Sequence, residues 1–196
     1  MAARLDDPAL GQLFRDARSR NGWKAEALPE SLLREVYDLM KWGPTAANST
    51  PARLVFVVSD EAKDKLASVA SAGNKAKIRQ ASATVIVGYD LDFPETLPKL
   101  FPHAPRMKDV FTSTEITELS ALRNSSLQGA YLIVAARALG LDCGPMSGFD
   151  NGKVDALFFA GTKVKSNFLC SIGYGTEENL FPRLPRHTFE EACRIV

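Results

Sequence analysis

Apolar residues recur every three to four positions in three stretches of the chain, which predicts three amphipathic helices. The stretches cover residues 10–17, residues 32–40 after Pro29, and residues 115–139. We expect Gly43 and Pro44 to stop the second helix. Two further helices are predicted from their caps: residues 61–74 behind Asp60, and a short last helix opened by a capping box at residues 188–191.

Three shorter runs are rich in β-branched and aromatic residues and lack helical spacing, so they predict strands at residues 53–58, 83–89 and 167–174. Strands separated by helices, with helices in excess, predict a mixed α+β fold in a single domain over residues 1–196. The apolar segment at residues 90–112 is broken by four prolines. It is either an insertion that lies over a site or a loosely packed excursion.

The long helix contains a stretch, Tyr131 to Ala136, that is apolar on nearly every side. Such a stretch is typical of a central helix or of a helix at a subunit interface, because a surface helix keeps one polar face.

Composition narrows the choice of partners. The 196 residues are 45% hydrophobic and 24% charged, with a formal net charge of +1, which gives no sign of nucleic-acid or membrane binding. No apolar run approaches the length of a membrane span. The three cysteines are far apart and lack the spacing of a zinc site, so we expect no metal and reduced thiols in a cytoplasmic protein.

The segment from Gly140 to Asp150 contains three glycines and Pro145, a combination that favours a binding loop. The glycines at 140, 144 and 148 allow positive φ or close approach of a flat ligand. The alternative is a helix C-cap followed by a tight turn, which explains Gly140 alone.

No group of residues suggests a nucleophile with its base. His103 and His187 lack a recognisable serine or cysteine partner, which disfavours hydrolase chemistry. The chain also lacks the glycine patterns of a Rossmann nucleotide site and of a P-loop. A redox cofactor that carries the chemistry itself would fit these absences.

Four short motifs follow one another along the chain: Arg18-Ser-Arg-Asn21, Pro44-Thr-Ala-Ala-Asn-Ser-Thr-Pro51, Gly144-Pro-Met-Ser-Gly-Phe-Asp150 and Arg183-Leu-Pro-Arg186. Together they resemble the nitroreductase family of FMN-dependent oxidoreductases, from about Leu10 to Val196. The resemblance implies a small, mostly antiparallel sheet surrounded by helices, in an intertwined homodimer.

The resemblance also implies a set of FMN-binding residues, with no catalytic side chain because the flavin carries the hydride. Arg18, Ser19 and Arg186 match the residues that hold the phosphate, and Asn21 and Arg183 lie beside them. Three further residues are expected at the flavin ring: Pro44, Thr45 and Asn48. Four more are expected on a loop that covers the ring and offers a backbone N–H to N5: Pro145, Met146, Ser147 and Gly148. The chain departs from the family pattern at Thr50, where glutamine is common, and at Ser147, where glutamate is common.

The runs Lys41 to Thr45 and Gly144 to Asp150 are most similar to the malonic-semialdehyde reductase branch of uracil degradation. That similarity implies that NADH or NADPH reduces FMN, which then reduces malonic semialdehyde to 3-hydroxypropionate. Arg106 and Arg123 are candidates for holding the substrate carboxylate. The alternatives are a broad nitroaromatic or quinone reductase and, in another class, a flavin-binding protein without turnover.

Overall fold

The computed structural model describes residues 3–196, so the first two residues of the expected domain lie outside it. Its α-helices, labelled α1 to α8 in chain order, span Asp7–Leu10, Glu30–Met40, Asp60–Ser68, Ala72–Gln80, Leu97–Leu100, Thr114–Ala138, Asn151–Phe158 and Phe189–Ala192. Its strands, β1 to β4, span Ala52–Val57, Ala83–Asp90, Asp142–Met146 and Val164–Gly173. None of the helices within residues 3–196 combines the length and the apolar sequence that crossing a bilayer requires.

The four strands form one antiparallel sheet in the order β1-β2-β4-β3. Strand β2 lies inside the sheet and is buried along Ala83 to Tyr89, as its unbroken apolar run requires. The prediction of an α+β fold with a small antiparallel sheet is therefore confirmed.

Helices cover both faces of the sheet. Side chains of α2 and α6 pack on one face against alternate residues of β2, including Val85 and Val87. Side chains of α3, α4 and α7 pack on the other face, where Ile86 and Leu169 lie. Alternation along the strands thus supplies two apolar cores with one sheet between them.

Helix α6 approaches the sheet closely at Gly129, where an added Cβ would lie 2.4 Å from the Phe168 ring. The Tyr131 to Ala136 stretch buries Leu132, Ala135 and Ala136, whereas Tyr131 is 42% exposed in the single chain. This chain alone therefore covers only part of the stretch.

Several predicted elements need correction. The first helix begins earlier, at Asp7, and continues as a π-helix over Gly11–Arg15. The helix predicted at residues 61–74 is in fact two helices, and Ser59 caps the first of them. Strand β3 occupies much of the segment that was expected to be a loop, and α7 follows it. The capping box at Thr188 is confirmed.

The proline-rich segment is not loosely packed. Phe93 and Leu97 are fully buried, and the rings of Phe93 and Phe111 meet edge to face with centroids 4.8 Å apart. Together with Tyr89 and Ala121 they form a third apolar cluster, which also packs against Ala47. The segment therefore lies against the turn that follows α2.

Candidate functional site

The Arg18–Asn21 segment runs beside strand β3. The Arg20 amide donates a hydrogen bond to the Cys143 carbonyl at 2.9 Å, and Ser19 forms a parallel bridge with Cys143. Gly144 permits this approach, because a Cβ there would lie 2.6 Å from the Arg20 carbonyl oxygen. Two of the four motifs, distant in sequence, are therefore in direct contact.

Arg20 holds this segment in place through two ion pairs. Its guanidinium pairs with Asp142 at 3.2 Å and with Glu177 at 2.7 Å. Burial alone would lower the pKa of Arg20, but the hydrogen bonds to Glu177 and Asp142 outweigh it and raise the pKa. Arg20 is thus a permanently charged structural residue.

The C-terminal segment returns to the same place. Arg18 donates to the Phe181 carbonyl, Arg183 donates to the Ala17 carbonyl at 2.9 Å, and Asn21 donates to the Asn179 carbonyl at 2.8 Å. These contacts join the two ends of the chain, although more than 150 residues separate them in sequence.

A cavity of about 500 Å³, here called the arginine cavity, lies between the two ends. Its polar lining consists of Arg18, Ser19, Asn21, Arg137, Arg183 and Arg186. Four arginines therefore line the cavity, and none of the lining residues carries a carboxylate. A guanidinium fork and a hydroxyl are groups that bind a phosphate well. The arginine cavity is therefore suited to a phosphate dianion.

Pro145, Met146, Ser147 and Gly148 lie at the end of β3 and just beyond it. Pro145 and Ser147 are exposed, whereas the Met146 side chain is buried in the second apolar core, so only its backbone can face a ligand. The Gly148 carbonyl accepts hydrogen bonds from the Ser71 amide at 2.9 Å and from Asn74 Nδ2 at 3.0 Å. These bonds tie the loop to the start of α4.

The glycines of this segment serve different purposes from the one expected. Only Gly140 has positive φ, at 79°, and it caps α6, as the simpler alternative proposed. Gly144 makes room for Arg20, and a Cβ at Gly148 would lie 2.8 Å from Asn74 Nδ2. Packing within the chain, rather than approach of a ligand, accounts for both.

The Pro44–Pro51 segment, which carries Thr45 and Asn48, lies apart from the arginine cavity and contributes nothing to its lining. Ala47, Asn48 and Thr50 all have positive φ, between 35° and 51°. Such a run of left-handed residues without glycine costs free energy and is concentrated at functional sites. The residues of the arginine cavity and those of the Pro44–Pro51 segment therefore form two groups within one chain, and Pro145 to Gly148 do not line the arginine cavity either.

Buried side chains of α6 hold that strained segment. Asn124 Oδ1 accepts from the Ala46 amide at 2.8 Å, and Gln128 Oε1 accepts from the Ala52 amide at 2.8 Å. Asn48 Nδ2 in turn donates to the Leu100 carbonyl at 2.8 Å in the proline-rich segment. This bond uses one of the amide donors of Asn48.

Four further residues at these sites were not predicted from the sequence: Asn74, Asn124, Gln128 and Arg137. Asn124 and Gln128 gave only a weak signal, since two amide side chains four residues apart share one face of the long helix. Arg137 is a basic residue in the last helical turn, which is an ordinary feature of helices, and so it did not stand out.

The two arginines proposed for the substrate carboxylate lie on the surface of the chain. Arg106 is 94% exposed at its side chain and pairs with Asp109, and Arg123 is exposed. Trp23 is buried, whereas Trp42 is 78% exposed. Within residues 3–196, no group of histidine, cysteine and carboxylate side chains is placed to hold a metal ion.

Comparison with known proteins adds three findings. The sequence model of the nitroreductase family matches residues 15–175. A Caulobacter protein provisionally named NADH dehydrogenase/NAD(P)H nitroreductase is 66% identical, over 99% of this chain and 100% of its own length. The HadB protein of Ralstonia pickettii, which carries the same provisional name, is 54% identical over 95% of this chain and 97% of its own length.

The fold also has solved counterparts. A provisionally assigned nitroreductase from Exiguobacterium sibiricum, crystallised in complex with FMN, superposes with a TM-score of 0.85 at 18% identity. The superposition covers 100% of this chain and 99% of that chain.

Proposed function

The chain belongs to the nitroreductase family, and on this premise we propose that it is an FMN-dependent oxidoreductase that draws its hydride from NADH or NADPH. The names of the relatives support the nicotinamide donor, and the FMN complex of the structural relative supports the cofactor. A cytoplasmic location is part of this proposal, because NADH and NADPH are intracellular metabolites. Residues 1–196 would form a single FMN-binding domain.

The observation that carries the proposal is the arginine cavity. FMN ends in a phosphate monoester, and the cavity offers the guanidinium groups of Arg18, Arg183 and Arg186 with the Ser19 hydroxyl and the Asn21 amide beside them. Arg18, Asn21 and Arg183 each donate to a backbone carbonyl of the opposite terminal segment, and these bonds would hold the two segments together without a ligand. A preassembled site loses less entropy on binding.

When bound, FMN supplies a ring nitrogen, N5, that accepts a hydride from reduced nicotinamide and passes it to a second substrate. The chain's own residues would orient the ring. The segment from Pro145 to Gly148 would offer a backbone N–H group near N5, and this contact survives the replacement of the common glutamate by Ser147. Pro44, Thr45 and Asn48 would face the ring's polar edge, with Thr50 standing where glutamine is common.

We further propose a homodimer, because the two groups of site residues lie apart in one chain. A second copy could bring its Pro44–Pro51 segment to the flavin whose phosphate the first copy holds. The chain also exposes apolar side chains that a partner would cover, among them Leu119, Leu127 and Tyr131 on α6. Phe181, Leu184 and Ile195 of the C-terminal segment are at least 69% exposed.

The substrate that we propose is malonic semialdehyde, reduced to 3-hydroxypropionate with oxidation of one NADH or NADPH and uptake of one proton. Support comes from the runs Lys41 to Thr45 and Gly144 to Asp150, in which the chain is most similar to that branch of the family. A broad nitroaromatic reductase is the second candidate, favoured by the names of the relatives.

Two measurements test this proposal. The purified protein should be yellow and should release FMN on denaturation; a colourless protein that binds no added FMN would contradict it. Steady-state oxidation of NADH and NADPH should then be faster with malonic semialdehyde than with nitrofurazone. The reverse order would favour the nitroaromatic reductase, and no oxidation with any acceptor would favour a flavin-binding protein without turnover.

A further inference from the structure

The last turn of α6 ends at the arginine cavity, where Arg137 joins Arg18, Arg183 and Arg186 in the lining. The other three arginines lie on the two terminal segments of the chain. Arg137 differs because a 25-residue helix, packed on the sheet, fixes its position. It is thus the one member of this cluster that stands on a rigid element.

Arg137 retains hydrogen-bonding capacity that the chain does not use. Its Nη1 donates to the Leu13 carbonyl at 3.0 Å, whereas its Nε is buried and has no partner among the described residues. Its Nη2 is not buried in the same way and donates to none of the described residues either. Since a guanidinium carries five N–H donors, most of this group is unpaired.

Two structural explanations account for part of this arrangement. A cation in the last turn of a helix interacts favourably with the helix dipole, and Arg137 also tethers the π-helix through Leu13. Neither explains why four like charges meet around a cavity whose lining has no carboxylate. Like charges repel, so an anion between them would stabilise this grouping.

We infer that Arg137 is a further phosphate-binding residue for FMN, acting through its terminal Nη2. This inference rests on the proposed function, because it takes FMN as the ligand. The phosphate would then be held by one arginine on the central helix in addition to those on the terminal segments. The charge that FMN has and riboflavin lacks is what Arg137 would recognise.

The test compares the affinities of FMN and riboflavin for the apoprotein of three proteins: wild type, Arg137→Met and Gln12→Ala. Gln12 Nε2 donates to the Arg137 carbonyl at 2.6 Å, so Gln12→Ala loosens the same segment without removing a charge. For Arg137→Met we expect FMN affinity to fall about tenfold or more, the loss typical of a charge-assisted contact. Riboflavin affinity should change little, and Gln12→Ala should leave both affinities nearly unchanged.

Each outcome has a defined meaning. A fall limited to FMN in Arg137→Met supports the inference. An equal fall for both flavins would overturn the inference, because Arg137 would then only position the N-terminal segment. An unchanged FMN affinity would also overturn it and would leave the proposed function intact. A wild-type protein that binds neither flavin would contradict the proposed function and this inference with it.

Discussion

Individual arginines carry the anion-binding part of the site. Arg18 and Arg186 line the same cavity, yet one stands near each end of the chain. Replacing either with alanine should give a folded protein with about tenfold or greater loss of FMN affinity, because each would remove a charge-assisted contact. Arg106→Ala is a matched control, since Arg106 is exposed and lies outside the cavity. Flavin occupancy equal to that of wild type in both variants would remove these residues from the site.

Gly144 controls the contact between the Arg18–Asn21 segment and β3. Gly144→Ala should lower the free energy of unfolding by about 1–3 kcal/mol, because its Cβ would overlap the Arg20 carbonyl. Gly73→Ala in α4 is the control; its Cβ meets nothing within 4 Å, and stability should be unchanged or higher. Chemical denaturation of both variants would decide, and equal stability would show that the contact is not tight.

Glu118 should make the fold sensitive to acid. Hydrogen bonds from Lys165 and then Tyr89 lower the pKa of Glu118, so its carboxylate stabilises the fold above the ordinary glutamate pKa of about 4.3. That stabilisation is lost as the pH falls through the lowered pKa. Glu118→Gln should therefore flatten the decline of the free energy of unfolding in this range, and the exposed Glu35→Gln should not. Identical pH profiles for wild type and Glu118→Gln would contradict this.

The hydrogen bond between Tyr89 and Glu118 lowers the pKa of Glu118 but raises that of Tyr89. Burial, and then its hydrogen bond to Glu118, raise the pKa of Tyr89 to about 12. Tyr89 is therefore a neutral structural donor at physiological pH.

At the scale of elements, the sequence predicted helices and strands where period and composition agree. The long helix, the buried β2 run and the last capping box were all found because each has a strong local signal. Strand β3 was missed because Gly144 and Pro145 are poor strand formers, and its pairing with β4 is a tertiary effect. The break between α3 and α4 was missed for the same reason, since Ser71 there pairs with Gly148 from a distant part of the chain.

The site residues likewise divide into those with a local sequence signal and those that only the fold brings together. Arg18, Ser19 and Arg186 could be identified through the family pattern, because that pattern is local. Arg137 could not, because only the fold brings the end of α6 to the two terminal segments. Nor could the sequence show that the Pro44–Pro51 segment lies outside the arginine cavity.

At the scale of the whole molecule, the separation of the two groups and the exposed apolar surface predict a homodimer. The interface should bury on the order of 2,000 Å² or more in total, as obligate dimers do. Leu127→Glu should dissociate it, because Leu127 is 46% exposed on α6 in the single chain and a buried charge is costly. Leu5→Glu, at an exposed position near the N-terminus, is the control. Light scattering that gives the mass of one chain at micromolar concentration, with flavin bound, would contradict the dimer.

Under the proposed function, bound flavin carries hydride from reduced nicotinamide to malonic semialdehyde. The most direct test is an anaerobic titration of the FMN-bound protein, followed by its visible absorbance. NADH or NADPH should bleach the oxidised flavin spectrum, and malonic semialdehyde added afterwards should restore it. The proposed substrate would be contradicted if the aldehyde did not restore the spectrum while a nitroaromatic or a quinone restored it rapidly. Hydride transfer through the flavin would be contradicted if neither NADH nor NADPH bleached it.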